Sequence, residues 1–374
     1  MSDKYPVVLY GASGYTARLI AEFLREYQLP FIAAGRNPEA IKEAIEKVPG
    51  IETATYEVVK VDHNVESLTE LFSGAKVVCN TVGPFARFGT PVVEAALNAG
   101  CHYIDTSGEQ DWMIEMGERF GPGYKEKGLL LSPSSAYMFS VCNIAAEFCL
   151  EQQGIDSLEV VCVPTGVPTV GSTRTIMDMA RCNQRWLIND ELTVLENPMT
   201  MGNEVPVPGK STTVLGLPWG GGTLPVWYAA DSRVRNCQSL TGFTDRALMQ
   251  GVVDICKYYE ENLKDLAPEE QEVALNKFAD QVTTGMPPRE NRNVHRTVDI
   301  CYGLGNNKQV KCTLIGNSGY IQTGLIQAYV AAQLVRGEPR VTGFESCVKA
   351  VGHHELFAAL EGYGLLKKQV EIIE

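Results

Sequence analysis

A chain of 374 residues exceeds the size at which one hydrophobic core keeps growing, so at least two domains are expected. Its formal net charge of -13 argues against a nucleic-acid or anionic-membrane surface, which needs a clustered excess of Lys and Arg. The 11 cysteines form no CxxC pair and no Cys/His cluster at zinc spacing, and no window reaches the ~18 apolar residues of a membrane span. These features predict a soluble cytoplasmic protein without a bound metal, a signal peptide or an integral span.

Short apolar runs alternate with amphipathic stretches through the first third, the pattern of βαβ units on a parallel sheet. Val7 to Tyr10 is the first predicted strand. Leu19, Ile20, Phe23 and Leu24 then recur at helical spacing, and Phe31 to Ala34 is a second apolar run. Further strands are predicted at Tyr56 to Val61, Val77 to Asn80, Tyr103 to Thr106 and Leu129 to Ser132. Helices are expected around Val65 to Phe72, Pro91 to Ala99, Asp111 to Arg119 and Asn143 to Gln153. The six strands suit a Rossmann sheet.

Beyond this, β-branched runs, glycine clusters and one charged helix, Pro268 to Thr283, indicate a second domain. Leu217 to Leu224 reads as a mobile loop and Met286-Pro287-Pro288 as a connector. Tyr320 to Leu334 and Phe344 to Leu366 are amphipathic helices. The fold class expected is α/β, an N-terminal Rossmann doubly wound parallel sheet with a second α+β domain on a mixed sheet. The boundaries are 1–153 for the dinucleotide-binding domain, 154–316 for the substrate domain and 317–374 for C-terminal helices returning to the first.

Gly11, Gly14 and Ala17 stand at G-x-x-G-x-x-A spacing between a strand and a helix. Gly11 allows a tight turn, Gly14 lets the backbone approach a pyrophosphate, and Ala17 permits close packing of helix on sheet. The expected contacts are Gly11, Ala12, Ser13, Gly14, Tyr15 and Thr16, at a helix N-terminus that favours phosphate. The second strand ends Gly35-Arg36-Asn37, without the acid that usually binds the ribose hydroxyls of NAD. Arg36 is suited instead to a 2′-phosphate, so NADP(H) is the expected cofactor, although a solvated surface arginine is the plain alternative. Asp62 stands where the adenine edge is expected and serves equally as a helix N-cap. Asn80, Thr81, Val82, Gly83 and Pro84 end the fourth strand at the carboxyl edge of the sheet, suited to the nicotinamide ribose.

Together with Tyr103-Ile104-Asp105-Thr106-Ser107-Gly108-Glu109 and Asn80 through Gly100, these turns resemble the saccharopine dehydrogenase-like oxidoreductases, a family that includes trans-acting enoyl reductases. The resemblance covers about the first 150 residues, with an echo at Gly319-Tyr320. It implies an NADP-linked fold, with Ser107 among the cofactor contacts. Family members often carry Gly-Phe-Asp-Ser-Ile-Pro-Ser-Asp after the sixth strand; here the run is Ala136 to Asn143 and both acids are gone.

That loss favours a hydrophobic carbonyl substrate, and the expected activity is reduction of an enone or enal by hydride transfer. Tyr137, a phenol able to protonate an oxygen, is the catalytic candidate, with packing as its alternative. Asp105, Ser107 and Glu109 form a possible polar cluster at the fifth strand, where Asp105 equally caps a helix or braces the Asn80 turn. A saccharopine-type amino-acid or imine dehydrogenase would need arginines for carboxylates, and Arg174, Arg181, Arg185, Arg233, Arg235, Arg289, Arg292 and Arg296 are available. A non-catalytic NADP(H) sensor or assembly protein is the third reading. A homodimer is expected on the base rate for enzymes.

Overall fold

The computed structural model describes residues 4–166, 168–220, 222–282 and 286–373. Gly221 of the expected loop and Thr283 of the expected charged helix lie outside them. By internal contacts the chain divides into two compact units: Met1–Ser107, Trp112–Ser140 and Tyr320–Leu365 form one, and Gly108–Asp111, Val141–Gly319 and Leu366–Glu374 the other.

The first unit is built on an all-parallel sheet of β1 (Val7–Tyr10), β2 (Phe31–Gly35), β3 (Tyr56–Lys60), β4 (Val77–Asn80), β5 (His102–Asp105) and β6 (Leu130–Ser132), extended by β15 (Gly343–Phe344). The strand order is 15-6-5-4-1-2-3. The strand order reverses between β1 and β4, and their parallel register sets the carboxyl ends side by side, Tyr10 opposite Asn80. β1 is buried along its whole length, which is why it reads as an unbroken apolar run and not as an alternation.

Helices α1 (Tyr15–Glu26), α2 (Pro38–Glu46), α3 (Val65–Phe72), α4 (Phe85–Ala99) and α5 (Gln110–Glu126) connect the strands. The four apolar positions read from the sequence of α1 are all buried. Two helices run further than their sequence indicates. α4 begins at Phe85 and carries Pro91 inside it, and α5 continues through Pro122. A proline in a helix interior costs about 3 kcal/mol, and in α4 the burial of Val92, Val93, Ala95 and Ala96 on one face works against that cost. α6 (Tyr137–Leu150) likewise starts at Tyr137 and not near Asn143, so the expected apolar loop is helix.

The seventh strand was not legible in sequence, because two residues carry no periodicity. Gly343 and Phe344 pair with Leu130 and Leu131, and the Phe344 ring lies where a Cβ on Gly117 would come within 2.8 Å. Three C-terminal helices complete the unit: α11 (Gly319–Arg336), α12 (Cys347–Val351) and α13 (His353–Gly362). α11 lies close against α1, with Tyr15 edge-on to Tyr320 and Tyr27 to Tyr329.

The second unit holds a mixed seven-stranded sheet in the order 16-14-13-7-12-8-9. Its strands are β7 (Ile155–Pro164), β8 (Arg185–Ile188), β9 (Glu191–Val194), β12 (Asn236–Thr241), β13 (Arg296–Gly305), β14 (Gln309–Asn317) and β16 (Leu366–Ile373). Only β7 and β12 pair in parallel; the other neighbours are antiparallel. A hairpin of β10 (Asn203–Pro206) and β11 (Thr213–Gly216) closes one face, its Val205 and Val214 sharing a core with Val161, Val163, Trp186 and Ile300. The remaining helices are α7 (Val170–Asp178), α8 (Leu224–Tyr228), α9 (Arg246–Tyr258) and α10 (Pro268–Val282).

Two expectations are corrected here. The stretch from Leu217, read as a mobile loop, is anchored: Leu217 exchanges backbone hydrogen bonds of 3.0 and 2.8 Å with Thr241, and Trp219 is buried in a core with Met249 and Phe243. Leu366–Ile373, placed among C-terminal helices, is a strand on β14. Its Lys368 ammonium lies 3.4 Å from the centre of the Phe148 ring. Among the described residues no helix is long and apolar enough to cross a membrane.

Candidate cofactor and active site

The turn after β1 follows from one glycine. Gly11 has φ +85°, and a Cβ there would stand 2.7 Å from Thr81 Oγ1 and 2.8 Å from Val82 Cγ2. A side chain is therefore barred both by conformation and by the turn that follows β4. The amides of Gly11 and Ala12 both donate to the Ala34 carbonyl, at 2.9 and 3.1 Å, and Gly14 N–H donates to Gly11 O at 3.0 Å. Ala12 is thus tied to the end of β2. Gly14 is the N-cap of α1 with no side-chain cap, so the positive end of the helix dipole faces outward from a bare backbone. Ser13 is exposed and Thr16 half-buried at this opening. Tyr15, expected among the cofactor contacts, turns inward, 6 % exposed, with its ring 5.3 Å from that of Tyr320.

At the end of β2, Gly35 packs over Ile41 and Arg36 is exposed. Asn37 is a cap, its Oδ1 accepting Ala40 N–H at 3.1 Å. The cap before α3 is Asn64, whose side chain accepts Ser67 N–H at 2.9 Å, and not Asp62. Asp62 is left exposed past the end of β3. Beside it lies a group that sequence reasoning missed. His63 Nδ1 is 2.8 Å from the Tyr10 hydroxyl, its ring stacks on Tyr10 at 6.0 Å and meets Phe88 edge-on at 5.6 Å. Burial, and then the Arg36 guanidinium, hold the His63 pKa below its ordinary value, so the imidazole is neutral at pH 7. Burial pushes the Tyr10 phenol up to about 12, with Arg36 opposing. The only sequence signal for this pair was the place of His63, next to Asp62 at the end of β3.

The turn after β4 is held from below. Thr81 Oγ1 donates to Tyr10 O at 2.9 Å. Asn80 Oδ1 accepts Val82 N–H at 2.9 Å, and Asn80 Nδ2 donates to the Tyr103 hydroxyl at 2.9 Å. Gly83 is exposed, and Pro84 is the N-cap of α4 after a cis Gly83-Pro84 bond. Of the expected cluster at β5, the structure joins Asp105 and Ser107 but groups Glu109 with the other unit. Ser107, expected to meet the cofactor, is fully buried and donates both its N–H (2.8 Å) and its hydroxyl (2.7 Å) to Asp105 Oδ1. Burial raises Asp105 to about 6 against the pull of these hydrogen bonds. Tyr137, first residue of α6, is 4 % exposed, and its N–H donates to Thr323 Oγ1 at 3.0 Å.

Several arginines of the second unit are engaged by the chain's own acids. Arg233 makes two 3.0 Å bonds to Glu147 and two more, of 3.0 and 2.7 Å, to Asp231. Glu147 also accepts the Tyr228 hydroxyl, which in turn accepts Asn143 Nδ2. Arg185 pairs with Asp111, Arg181 with Asp178, Arg174 with Asp280 and Arg235 with Asp190.

The paired turns, the glycine cradle and the outward guanidinium fit a dinucleotide carrying a 2′-phosphate. Residues 7–128 match the saccharopine dehydrogenase NADP binding domain, and this is an NADP(H)-binding oxidoreductase fold of the saccharopine dehydrogenase-like class. Residues 140–374 match a second model, and by it the chain belongs to the Family of unknown function (DUF5938). A lipid droplet localized protein of Caenorhabditis elegans is 33% identical over 148 residues, covering 37% of this chain and 33% of that protein. A saccharopine dehydrogenase-like oxidoreductase of Mus musculus is 30% identical over 147 residues, 36% of this chain and 34% of that protein. These matches span about a third of the relatives' length. An amine dehydrogenase structure from Mycobacterium smegmatis superposes with TM-score 0.50 at 11% identity, covering 93% of this chain and 96% of that one, a likeness of fold.

Proposed function

We propose that the protein is an NADP(H)-dependent reductase of a conjugated carbonyl, an enone or enal, in a largely apolar small molecule. The observation that carries this reading is the pairing of Arg174, Arg181, Arg185, Arg233 and Arg235 with acids of the same unit. The Arg233 fork on buried Glu147 matters most, since pulling it toward a substrate would leave a buried carboxylate uncompensated. A substrate with several carboxylates, as a saccharopine-type reaction requires, is disfavoured by that pairing. The acid-free run Ala136 to Asn143 agrees with it.

NADPH, when bound, supplies the hydride. In this reading Gly11 and Gly14 let the backbone approach the pyrophosphate, Arg36 binds the 2′-phosphate, and the Asn80–Pro84 turn meets the nicotinamide ribose. Neutral His63 adds no second positive charge beside Arg36. Tyr137 holds the proton delivered to the substrate as charge develops on its oxygen or α-carbon. Its low exposure would keep the phenol out of bulk water.

The test is titration with NADPH and NADH, followed by product analysis with apolar enones and, separately, with 2-oxo acids plus amines. NADPH-dependent loss of the C=C bond is the expected result. A product that keeps the C=C bond, or turnover confined to 2-oxo acids with amines, would overturn the enoyl reading. Tight NADPH binding without turnover would indicate a sensor. Tyr137→Phe should lower kcat by roughly a hundredfold with NADPH affinity unchanged.

A further inference from the structure

We infer that Asp105 is a positioning residue for the cofactor: through Tyr103 and Asn80 its carboxylate orients the Thr81-Val82-Gly83 turn after β4. The inference rests on the reading that this turn meets the nicotinamide half of NADPH. A carboxylate can only accept hydrogen bonds, so the Tyr103 hydroxyl, 2.8 Å from Asp105 Oδ2, must donate to it. With its one proton committed, Tyr103 presents a lone pair to Asn80 Nδ2 at 2.9 Å. The Asn80 amide is thereby given one of its two orientations, and its Oδ1 accepts Val82 N–H at 2.9 Å.

The chain of bonds is therefore directional. Reversing the first link would reverse the others and aim an NH2 group at the Val82 amide. Asp105, Tyr103 and Asn80 are all fully buried, so water does not substitute for a missing member.

The carboxylate itself cannot turn. Its other oxygen, Oδ1, accepts from Ser107 N–H, Ser107 Oγ–H and Ser134 N–H at 2.8, 2.7 and 2.9 Å. From α11, Gln327 Nε2 clamps the backbone on either side, donating to the carbonyls of Asp105 and Ser135 at 2.8 Å each. At the far end of the chain of bonds, Thr81 and Val82 occupy the space that a Cβ on Gly11 would need. Asp105 thus acts on the cofactor from below the site.

Tyr103→Phe removes the middle link with the loss of one oxygen, and Asp105→Asn replaces an acceptor pair by one acceptor and one donor. The measurements are the Kd of each variant for NADPH and for 2′,5′-ADP, which carries the adenine half and does not reach the β4 turn. Each variant should bind NADPH roughly tenfold more weakly or worse while holding 2′,5′-ADP within about twofold of wild type. The double variant should lose no more than the weaker single one, as links of one chain do. If Asp105→Asn does not fold, Tyr103→Phe decides alone. NADPH affinity unchanged in Tyr103→Phe, or both ligands weakened alike, would overturn the inference and leave the site reading standing; a wild-type protein that binds no NADPH would overturn both.

Discussion

Four positions show what single residues do in this protein. Arg36 is exposed at the end of β2, its charge felt by Tyr10 and His63. Arg36→Ala should weaken NADPH by about tenfold or more and leave NADH within about twofold, read by calorimetric titration. Gly11 has the opposite character, a position where anything added is wrong. Gly11→Ala must take a φ of +85° with its methyl 2.7 Å from Thr81 Oγ1, and NADPH affinity should fall by about tenfold or more. His102 is concerned with stability. It is 7 % exposed, accepts Leu130 N–H on Nδ1 at 2.9 Å, and is held down to about 4 by burial, with Lys76 adding and Glu338 opposing. Its folded pKa lies below its ordinary value, so its contribution is complete above pH 6.5 and is lost as pH falls toward 4. That loss is about 3 kcal/mol, and urea unfolding at pH 7.5 and 4.5 should show His102→Asn losing less across the interval than wild type. Asp105 runs the other way, since a carboxyl raised to about 6 gives up stability as pH rises through that value, which is why the single variant is the cleaner probe.

At the scale of elements, the packing of α11 on α1 depends on an absent side chain. A Cβ on Gly324 would lie 2.8 Å from the backbone carbon and oxygen of Leu19, atoms that cannot yield as a flexible side chain would. Gly324→Ala should therefore destabilise the protein by about 1–3 kcal/mol in chemical denaturation, although alanine is favoured over glycine in a helix by about 1 kcal/mol. A more stable Gly324→Ala variant would mean that the two helices are not held at this distance in solution. The same dependence on a neighbour explains the helix boundaries. Pro91 and Pro122 read as starts and stops, yet burial of the surrounding faces carries α4 and α5 past them.

For the whole molecule, cofactor binding should appear as stability. A ligand bound by the folded chain alone adds about 2.7 kcal/mol at a free concentration of a hundred times its Kd. A thermal melt with saturating NADPH should accordingly shift upward, and NADH should shift it less at equal concentration. Absence of any NADPH shift would contradict the placement of Arg36 and Gly11 at a binding surface.

What could be read in the sequence alone was local. The alternation of strand and helix, the Gly11 to Ala17 turn, the missing acid at Arg36 and the resemblance of the Asn80 and Tyr103 stretches each lie within a few consecutive residues, where chain geometry and side-chain periodicity act directly. Tertiary structure decided everything that depends on partners far along the chain. It turned Tyr15 toward Tyr320, brought Gln327 to Asp105 and His63 to Tyr10, and gave Arg233 to Glu147. It also added the two residues of β15 to the first sheet and Leu366–Ile373 to the second. Such pairings are set by which buried groups must find a donor, an acceptor or an opposite charge once water is gone.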